Sequence, residues 1–340
     1  MTERKANIYD VATRAEVSHQ TVSRVLNSHP SVKPATREKV EAAIAELKYR
    51  PNQAARQLVT SRSQMIGILI AGSELYGPWA ILNAMEREAR IEGYSIISIS
   101  VLPESSESWR AGIEQLRNLE IDGVITIALS KQIIKEVEKS LASATIVIVD
   151  AEPSKKFDAV NIENFVGGKI ATEHLISLGH KKIVHVTGPT DGYEGQQRRN
   201  GYEDAMRSAK LEVDVIEGDW SIETGYEAGK VISSRKELPT AIFASNDHLA
   251  LGLIKALGEK MLRVPQDVSI VGFDNIPESA YFTPALTTVH QNFDELGKLA
   301  INRMLIQLKD PTTHEALSIP PQLIVRESTQ TLKAGKQDGR

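Results

Sequence analysis

The chain has 340 residues, with 40 Lys and Arg against 44 Asp and Glu, eight His and no cysteine. At roughly 150 residues per domain, this length predicts two domains and room for a small extra module. The lack of cysteine excludes disulfides, thiolate nucleophiles and cysteine-ligated zinc or iron–sulfur sites. The start, MTERKANIYD, has no apolar core typical of a secretory signal, and no window approaches the roughly 18 apolar residues of a membrane span. The composition therefore predicts a soluble, cytoplasmic protein without a membrane partner.

The net charge of −4 is unevenly distributed along the chain. Residues 1–62 carry 11 Lys and Arg against 6 Asp and Glu, a balance of +5, and residues 63–340 carry 29 against 38, a balance of −9. A basic amino-terminal segment on an acidic body favours nucleic-acid binding, because phosphate contacts supply most non-specific affinity. A solvated amino-terminal arm explains the same composition, so charge alone leaves both interpretations open.

The first 50 residues have the pattern of three short helices. Asn7 can cap the first helix and Ser18 the second, and Pro34 suits the first turn of the third. Apolar residues at spacings of three and four predict the bounds 8–15, 20–26 and 34–48. Two short helices joined by so brief a turn form a helix-turn-helix, whose second helix can enter the major groove of DNA.

The second predicted helix carries polar side chains on its outer face. Gln20 suits adenine and Arg24 suits guanine, because each side chain can make bidentate hydrogen bonds to that base. The smaller polar side chains suit phosphate contacts. An ordinary helical bundle with its polar residues in water remains the alternative. The predicted DNA-binding residues of this segment are Ser18, His19, Gln20, Thr21, Ser23, Arg24 and Asn27.

The sequence IYDVATRAEVSHQTVSRVLN, followed by TREKVEAAIAELKYRPNQAARQL, resembles the amino-terminal segment of the lactose-repressor/galactose-repressor family of transcription regulators. Two positions depart from the family pattern. Glu16 stands where the turn normally has glycine, and it carries a small strain if that position needs a positive φ. Lys33 stands where a serine usually caps the third helix. Neither departure removes a residue that is expected to read a base.

Residues 51–62, PNQAARQLVTSR, form the predicted hinge. A helix of about two turns is marginal in water, so the segment by itself is expected to be a linker. The resemblance implies that it becomes helical against DNA, where paired hinge helices enter the minor groove and wedge a leucine between base pairs. The residues that match this hinge are Asn52, Ala55, Arg56 and Leu58.

From Met65 onward, apolar runs alternate with amphipathic stretches. The runs MIGILIA, YSIISIS, GVITIAL and TIVIVD predict one set of strands, and IVHVTG, AIFAS and DVSIVGF predict a second. Continuous apolar strands with helices between them imply parallel sheets that are buried on both faces. The predicted fold is therefore a small all-α helix-turn-helix segment followed by an α/β core of two doubly wound parallel-sheet subdomains, similar to the periplasmic binding proteins.

The predicted domains are a DNA-binding domain (1–50), a hinge helix or linker (51–62) and an effector-binding core (63–340). Within the core, subdomain one is expected at about 63–162 and 293–323, and subdomain two at about 163–291 and 324–330. The chain is thus expected to cross between the subdomains several times.

The core lacks the motifs of common enzymes. No G-x-G-x-x-G follows a predicted strand, and G-x-x-x-x-G-K-[ST], H-E-x-x-H and G-x-S-x-G are absent. The eight histidines are scattered, without metal-ligand spacing beside a carboxylate. We therefore expect no catalytic residue, no metal and no cofactor.

Polar residues follow several predicted strands of the core, where open α/β sheets bind their ligands. Asp150 ends TIVIVD, Asp274 ends VSIVGFD, and Asn246 and Asp247 end AIFASND, while Arg198 lies just past the loop after IVHVTG. An acid or amide at a strand end is often only a helix cap, and Asp247 is expected to be one. Converging on one cleft, the others would supply donors and acceptors for hydroxyl groups.

A sugar needs polar partners on its edges and an apolar platform on its face. Arg198 is expected to lie between carboxylates, held by bidentate bonds, and to offer further N–H groups outward. Trp220 or Phe293 would cover the apolar ring face. So many charges would not suit a small apolar ligand, because unpaired buried polar groups cost about 1–3 kcal/mol each.

The resemblance extends to HLISLGHKKIVHVTGP, EGDWSIETGY and VPQDVSIVGFDN, and so covers about residues 5–329. EGDWS is most similar to the lactose-repressor branch. The resemblance implies that hydroxyl groups contact Asp150, Arg198, Asn246 and Asp274, that Trp220 stacks on the sugar, that Gln291 and Phe293 line the cleft, and that Leu75, Pro78 and Ile81 form its apolar wall.

Three departures from that branch concern the sugar. Ala71 stands where a serine contacts the ring substituents, Ile127 lies near the position of an asparagine, and Trp79 is a bulky addition beside the wall. Because the residues that match the ring contacts are present, recognition of a galactose-type ring is expected. The three departures leave open the preference for an aglycone or second sugar.

The chain ends soon after LIVREST, with a polar tail and no leucine heptad. Compared with the lactose repressor, this predicts a homodimer without the tetramerising coiled coil. A twofold dimer predicts a pseudo-palindromic operator in double-stranded DNA. The helix around Pro78–Glu92 is the expected interface.

These features predict a sequence-specific DNA-binding repressor whose operator affinity is controlled by a small sugar of galactose or β-galactoside type. One alternative keeps the fold but makes the ligand a corepressor or a non-sugar metabolite. A more remote alternative is a solute-binding transport component, which needs an export signal and gives the helix-turn-helix no use.

Overall fold

The computed structural model describes residues 6–26, 29–49, 63–71, 74–102, 105–127, 130–142, 144–189, 192–310 and 314–332. The chain divides into two compact units, Met1–Gln64 and Met65–Arg340. Five predicted DNA-binding residues lie outside the described residues: Asn27, Asn52, Ala55, Arg56 and Leu58.

The described part of the first unit consists of helices α1 (Ile8–Ala15), α2 (His19–Leu26) and α3 (Pro34–Glu46). Asn7 caps α1, since its side chain accepts two amides of the first turn while the Asp10 carboxylate accepts the Asn7 amide at 2.8 Å. Each helix contributes a completely buried valine to the small core, namely Val11, Val22 and Val40. This core fixes the three helices as one body.

The two departures from the family pattern have visible consequences in this unit. Glu16 ends α1 in the left-handed conformation, with φ of 57°, so the conditional expectation of strain is met. Lys33 makes no side-chain cap to α3, which begins instead with Pro34, a residue suited to the first helical position.

In chain order, the described elements of the second unit are β1 (Met65–Ala71), α4 (Tyr76–Ile91), β2 (Ser95–Val101), α5 (Ser106–Arg117), β3 (Gly123–Ile127), α6 (Lys131–Ser140), β4 (Thr145–Val149), β5 (Asp158–Ile162), α7 (Asn164–Ser177), β6 (Ile183–Val186), α8 (Tyr193–Ser208), β7 (Asp214–Ile216), α9 (Ile222–Ser233), β8 (Ala241–Ala244), α10 (Asp247–Glu259), β9 (Ser269–Asp274), a 3₁₀ helix (Pro277–Tyr281), β10 (Thr287–His290), α11 (Phe293–Lys309), β11 (Ala316–Ile319) and β12 (Gln322–Ile324).

The strands form two six-stranded sheets, and each sheet is the centre of one lobe. The strand order is β11-β5-β4-β3-β1-β2 in lobe one and β12-β10-β9-β8-β6-β7 in lobe two. All pairs in lobe one are parallel. In lobe two only β12 is antiparallel, against β10. The two-lobed α/β fold with parallel sheets is thus confirmed, with one antiparallel edge strand added.

Helices cover both faces of each sheet, which explains why the strands are almost continuously apolar. In lobe one, α4 and α11 pack on one face and α5 and α6 on the other. In lobe two, α9 and α10 cover one face and α7 and α8 the other. Among the described helices, none is long and apolar enough to cross a membrane.

The chain passes between the lobes three times within its described part: after β5, after β10 and after β11. The third passage brings Gln322 into the sheet of lobe two, two residues before the predicted boundary at 324. The carboxyl ends of the parallel strands in both lobes therefore lie close to the first two passages, where polar residues follow β4, β8 and β9.

Candidate functional site

The outer face of α2 carries the side chains that the sequence singled out. His19, Gln20 and Arg24 are exposed, whereas Thr21 and Ser23 are half-buried. Ser18 begins the helix, because its Oγ accepts the Thr21 amide at 3.1 Å. A short, capped helix thus presents three exposed polar side chains.

Two contacts hold this face in place, and sequence reasoning missed both. Arg37 on α3 donates to the carbonyls of Val25 and His29, at 3.4 and 3.2 Å, and so fixes the end of α2. The exposed ring of Tyr9 lies 5.3 Å from the ring of His19. The only sequence signal for Tyr9 was its outward position on α1.

In the second unit, three charged residues from different elements surround one cleft between the lobes. Asp150 follows β4 in lobe one, Asp274 ends β9 in lobe two, and Arg198 lies on α8. The charge of Asp150 interacts with both Arg198 and Asp274. Gln291 donates from Nε2 to Asp274 Oδ1 at 2.6 Å. We call Asp150, Arg198, Asp274 and Gln291 the cleft cluster.

The sequence suggested that two carboxylates hold Arg198, but the structure shows a different arrangement. Its Nε donates to Asn164 Oδ1 at 2.8 Å, and its Nη1 donates to the Ser245 carbonyl at 2.5 Å. Asp274 Oδ1 is farther away, at 3.4 Å from Nη1. An amide and a main-chain carbonyl therefore orient the guanidinium, and Nη2 has no hydrogen-bond partner in the described part of the chain.

Several acceptors of the cleft cluster also lack partners among the described residues. Gln291 is 2% exposed and its Oε1 accepts no hydrogen bond. Both hydrogen bonds to Asp274 use Oδ1, and the single one to Asp150, from the Ile162 amide at 3.5 Å, also uses Oδ1. The cluster can therefore accept and donate further hydrogen bonds, which is what a polyhydroxylated ligand requires.

Burial governs the acidity of the two aspartates. It raises the pKa of Asp150 to about 7, the charge of Glu194 adds to the increase, and Arg198 opposes it. Burial also raises the pKa of Asp274, against the opposing effects of Arg198 and Gln291. Both aspartates also have positive φ, 49° for Asp150 and 100° for Asp274, a conformation that costs a residue with a side chain about 1–3 kcal/mol.

Trp220 forms one wall of the cleft in lobe two. Its half-buried ring lies 5.2 Å from the Arg198 guanidinium. Asn246 donates from Nδ2 to the Trp220 carbonyl at 3.0 Å and accepts the Leu249 amide at 2.8 Å. Asn246, predicted to contact hydroxyl groups, therefore already caps α10 and holds Trp220.

The predicted apolar wall belongs to the start of α4 in lobe one. Leu75 and Pro78 are half-buried there, but Ile81 is only 1% exposed and packs within the lobe core. Phe293, 7% exposed, meets the ring of Tyr76 edge to face at 5.9 Å. Burial and then the charge of Asp274 raise the pKa of Tyr76, so this residue lies beside the cleft.

Other features escaped sequence reasoning. Asn164 and Tyr76 had no distinguishing motif, and Tyr193, whose pKa is raised by burial and by the charge of Asp150, lies at the start of α8. Asp247 was expected to cap α10, but Asn246 is the cap. The Asp247 carboxylate is completely buried and accepts from Thr288 Oγ1 and the Ile276 amide.

Two of the three departures that concern the sugar are buried at strand ends. Ala71 is 3% exposed at the end of β1, and Ile127 is completely buried at the end of β3. Trp79, in contrast, is 54% exposed on α4 and lies 6.4 Å from the Tyr76 ring.

A cavity of about 680 Å³ lies elsewhere in lobe one. Its walls include Lys135, Lys139 and His314, together with an ion pair between Lys156 and Glu138. Thr145 in its lining begins β4, so the cavity lies at the amino ends of the strands and contains no residue of the cleft cluster. The described residues contain no group of three or more His, Asp or Glu that could hold a metal ion.

Two family models match this chain. Residues 7–52 match "Bacterial regulatory proteins, lacI family", and residues 172–329 match "Periplasmic binding protein-like domain". The chain is 36% identical, over 96% of its length and 99% of the relative's, to the HTH-type transcriptional repressor PurR of Haemophilus influenzae (strain PittGG).

Solved structures agree with this assignment. The lac repressor dimer bound to operator and the anti-inducer ONPF superposes with a TM-score of 0.87 at 31% identity, over 96% of this chain and 100% of that one. The complex of the transcriptional regulator CelR with cellobiose gives a TM-score of 0.74 at 27% identity, over 95% of this chain and 99% of that one.

A helix-turn-helix unit followed by a two-lobed α/β core is the architecture of a class of DNA-binding regulators. The chain belongs to the lacI family of bacterial regulatory proteins. It is a DNA-binding transcriptional repressor and not an enzyme.

Proposed function

We propose that a small sugar of galactose or β-galactoside type binds the cleft cluster and controls the affinity of this repressor for its operator. The observation that carries the proposal is the set of unused polar atoms around Arg198. Asp150 and Asp274 approach it from opposite lobes, and each leaves one carboxylate oxygen without a described partner. Neighbouring hydroxyl groups of a sugar can donate to these two carboxylate oxygens and accept from Nη2 of Arg198.

The aromatic residues support a ring-shaped ligand. Trp220 in lobe two and the pair of Phe293 with Tyr76 in lobe one supply apolar surface on both sides of the cleft cluster. Similarity to the CelR–cellobiose complex also favours a sugar. Charged groups on the edges and aromatic groups on the faces fit a sugar better than a small apolar molecule.

The repressor is proposed to act as a homodimer on a pseudo-palindromic operator. Similarity to the lac repressor dimer bound to operator supports this assembly. The helix α4, with Trp79 54% exposed and Ile91 75% exposed, is the proposed interface. His19, Gln20 and Arg24 would read bases, and residues 51–62 would form the hinge between the DNA-binding unit and the core. Because the proposed repressor acts on chromosomal DNA, we expect it to work in the cytoplasm.

A non-sugar metabolite or corepressor is the second candidate. The specific observation in its favour is the 36% identity, over nearly the whole chain, to a repressor named PurR. A planar base would stack on Trp220 and donate N–H groups to a carboxylate, but its donors and acceptors lie in one plane and match fewer of the polar atoms that the two lobes contribute. The polar atoms of the cleft therefore favour the sugar.

Isothermal titration calorimetry of the full chain tests the proposal. Galactose, methyl β-D-galactoside, glucose and adenine are titrated separately, and gel shifts with a selected operator are run at saturating ligand. We expect the galactosides to bind and to change operator affinity by roughly 5- to 150-fold, the usual range of allosteric coupling.

A result in which adenine binds and no sugar does would transfer the cleft to the non-sugar candidate. Binding of a galactoside without any change in operator affinity would refute the regulatory role. Neither result affects the assignment to DNA-binding repressors.

A further inference from the structure

Both aspartates of the cleft cluster have a positive φ, a backbone conformation that is unfavourable for residues other than glycine. Asp150 has φ of 49° and Asp274 has φ of 100°, although neither residue is glycine. Asp150 is the first residue after β4, and Asp274 is the last residue of β9. Left-handed conformations at such positions persist only where the surroundings hold them.

In lobe one, the holding group is the side chain of Asn161. It lies on β5, next to β4, and is 6% exposed. Its Oδ1 accepts the Ala151 amide at 3.0 Å, and its Nδ2 donates to the Ala151 carbonyl at 3.0 Å. The Asp150 amide donates to the Val160 carbonyl at 3.2 Å. Asn161 thus clamps both main-chain polar groups of the residue that follows Asp150.

In lobe two, the corresponding group is the carboxylate of Asp247. Its Oδ2 accepts the Ile276 amide at 2.9 Å, and its Oδ1 accepts Thr288 Oγ1 at 2.5 Å. Thr288 Oγ1 in turn accepts the Asn275 amide at 3.3 Å. The two amides after Asp274 are therefore both fastened to Asp247, one directly and one through Thr288.

The fit around Asp247 is close. A Cβ atom built on Gly272 would lie 2.2 Å from Asp247 Oδ1, so the carboxylate occupies space that only a glycine leaves open. Gly272 pairs with Thr288 across β9 and β10, which places the carboxylate against both strands. Arg326 supports the same turn, with Nη2 donating to Asn275 Oδ1 at 2.6 Å.

We propose that Asn161 and Asp247 are positioning residues of the effector site, which hold Asp150 and Asp274 in left-handed conformations so that their carboxylates face Arg198. The inference rests on the proposed function, since it assigns these residues to the site where the sugar binds. Each lobe has one such clamp. In lobe one it is Asn161, on the strand next to β4, and in lobe two it is Asp247, at the start of α10.

The test for Asn161 is a double-mutant cycle on the full chain, measured by calorimetry with methyl β-D-galactoside. Asn161→Ala is expected to weaken sugar binding roughly tenfold, and to have no further effect when Asp150 is already alanine. Ser328→Ala is the matched control, because it also removes two buried hydrogen bonds to main-chain groups, one to the Ile270 carbonyl at 2.6 Å and one from the Thr287 amide at 2.8 Å, near the amino ends of β9 and β10. It should leave the affinity unchanged.

For Asp247 the conservative variant separates positioning from charge. In Asp247→Asn the side-chain oxygen still accepts the Ile276 amide, while Nδ2 donates to Thr288 Oγ1, which donates to Asp247 in the wild type. This variant is expected to bind the sugar within about threefold of the wild type. Asp247→Ala removes both contacts and should weaken binding at least tenfold. Equal losses in the two variants would contradict the proposed role.

A measurement without ligand distinguishes this inference from the proposed function. In a crystal structure of sugar-free Asn161→Ala, residue 150 is expected to leave the positive-φ region. If wild type binds no galactoside but residue 150 moves, the sugar assignment fails and the clamp stands. If residue 150 keeps its φ, or if Asn161→Ala weakens binding equally with and without Asp150, the clamp is refuted.

Discussion

The ring of Trp220 lies directly against Gly188. A Cβ atom built on this glycine would come within 2.2 Å of Trp220 Cη2, and within 2.5 Å of two further ring atoms. Gly188 follows β6 at the carboxyl edge of the sheet in lobe two. The orientation of the proposed stacking surface therefore depends on the absence of a side chain at one position of a neighbouring loop.

Gly188→Ala is expected to displace the Trp220 ring and to weaken galactoside binding roughly tenfold, the equivalent of about 1.4 kcal/mol. Operator binding without sugar should remain unchanged. Calorimetry and gel shifts measure the two effects. Gly258→Ala is the control, because no atom lies within 4 Å of a Cβ at that site. Unaltered sugar affinity in Gly188→Ala would exclude Trp220 as the stacking surface.

Replacement of Arg198 is expected to abolish the response to sugar. Arg198→Ala removes the only cation of the cleft cluster, while operator binding in the absence of ligand should persist. Arg199→Ala is the matched control, since that neighbour pairs instead with Glu203 and Glu217 outside the cluster. Gel shifts with and without methyl β-D-galactoside decide the matter, and loss of operator binding in Arg198→Ala alone would indicate a structural role.

The buried carboxyl group of Asp150 makes stability depend on pH. Because its pKa is raised to about 7, its neutral form is favoured in the folded state, and the resulting stabilisation is lost as pH rises from about 4 through 7. The Asp150→Asn variant does not lose stability in this way, because its side-chain amide does not ionise as pH rises. Its melting temperature should therefore exceed that of wild type by several degrees at pH 8, and the difference should shrink towards pH 5. A difference independent of pH would contradict the raised pKa.

In the DNA-binding unit, Arg24→Ala is expected to weaken binding to the selected operator by about 1–3 kcal/mol, roughly 5- to 150-fold, if Arg24 reads a guanine. Discrimination against the operator substituted at that base pair should fall together with affinity. A uniform loss across sequences, with a shallower salt dependence, would assign Arg24 to a phosphate instead.

Glu16→Gly is expected to stabilise this unit by roughly 0.5–1 kcal/mol, because glycine removes the strain at φ of 57° while adding some entropy to the unfolded chain. Hydrogen exchange in the full chain provides the measurement. Amides of α1 and α2 should exchange about 2- to 5-fold more slowly. Glu41→Gly, within α3, should have the opposite effect.

Local patterns were sufficient to predict much of the fold. Apolar runs and their spacing identified the strands and helices, because burial on one or both faces imposes those periods. The caps at Asn7 and Ser18 were also predictable, since both depend on residues three positions away. The antiparallel direction of β12 was not, because only its partner β10 determines it.

The candidate site was predictable as a set of positions and not as a network. Strand ends and the family resemblance identified Arg198 and Asp274, but the partners that orient Arg198 are an amide at 164 and the main-chain carbonyl of 245. Asp247 looked like an ordinary helix cap for the same reason: its partners, Thr288 and Ile276, are brought to it only by the packing of β9 and β10.

The second passage between the lobes separates Gln291 and Phe293 by a single residue. Gln291 is bonded to Asp274 in lobe two, while Phe293 belongs to the core of lobe one. A ligand that touches both therefore acts at a pivot, where little movement is needed. Met65, which joins the core to the rest of the chain, lies at the far end of the seven-residue strand β1, about 20 Å from its carboxyl end at 3.3 Å per residue. With that lever arm, a rotation of about 5° at the pivot moves the attachment point by about 2 Å.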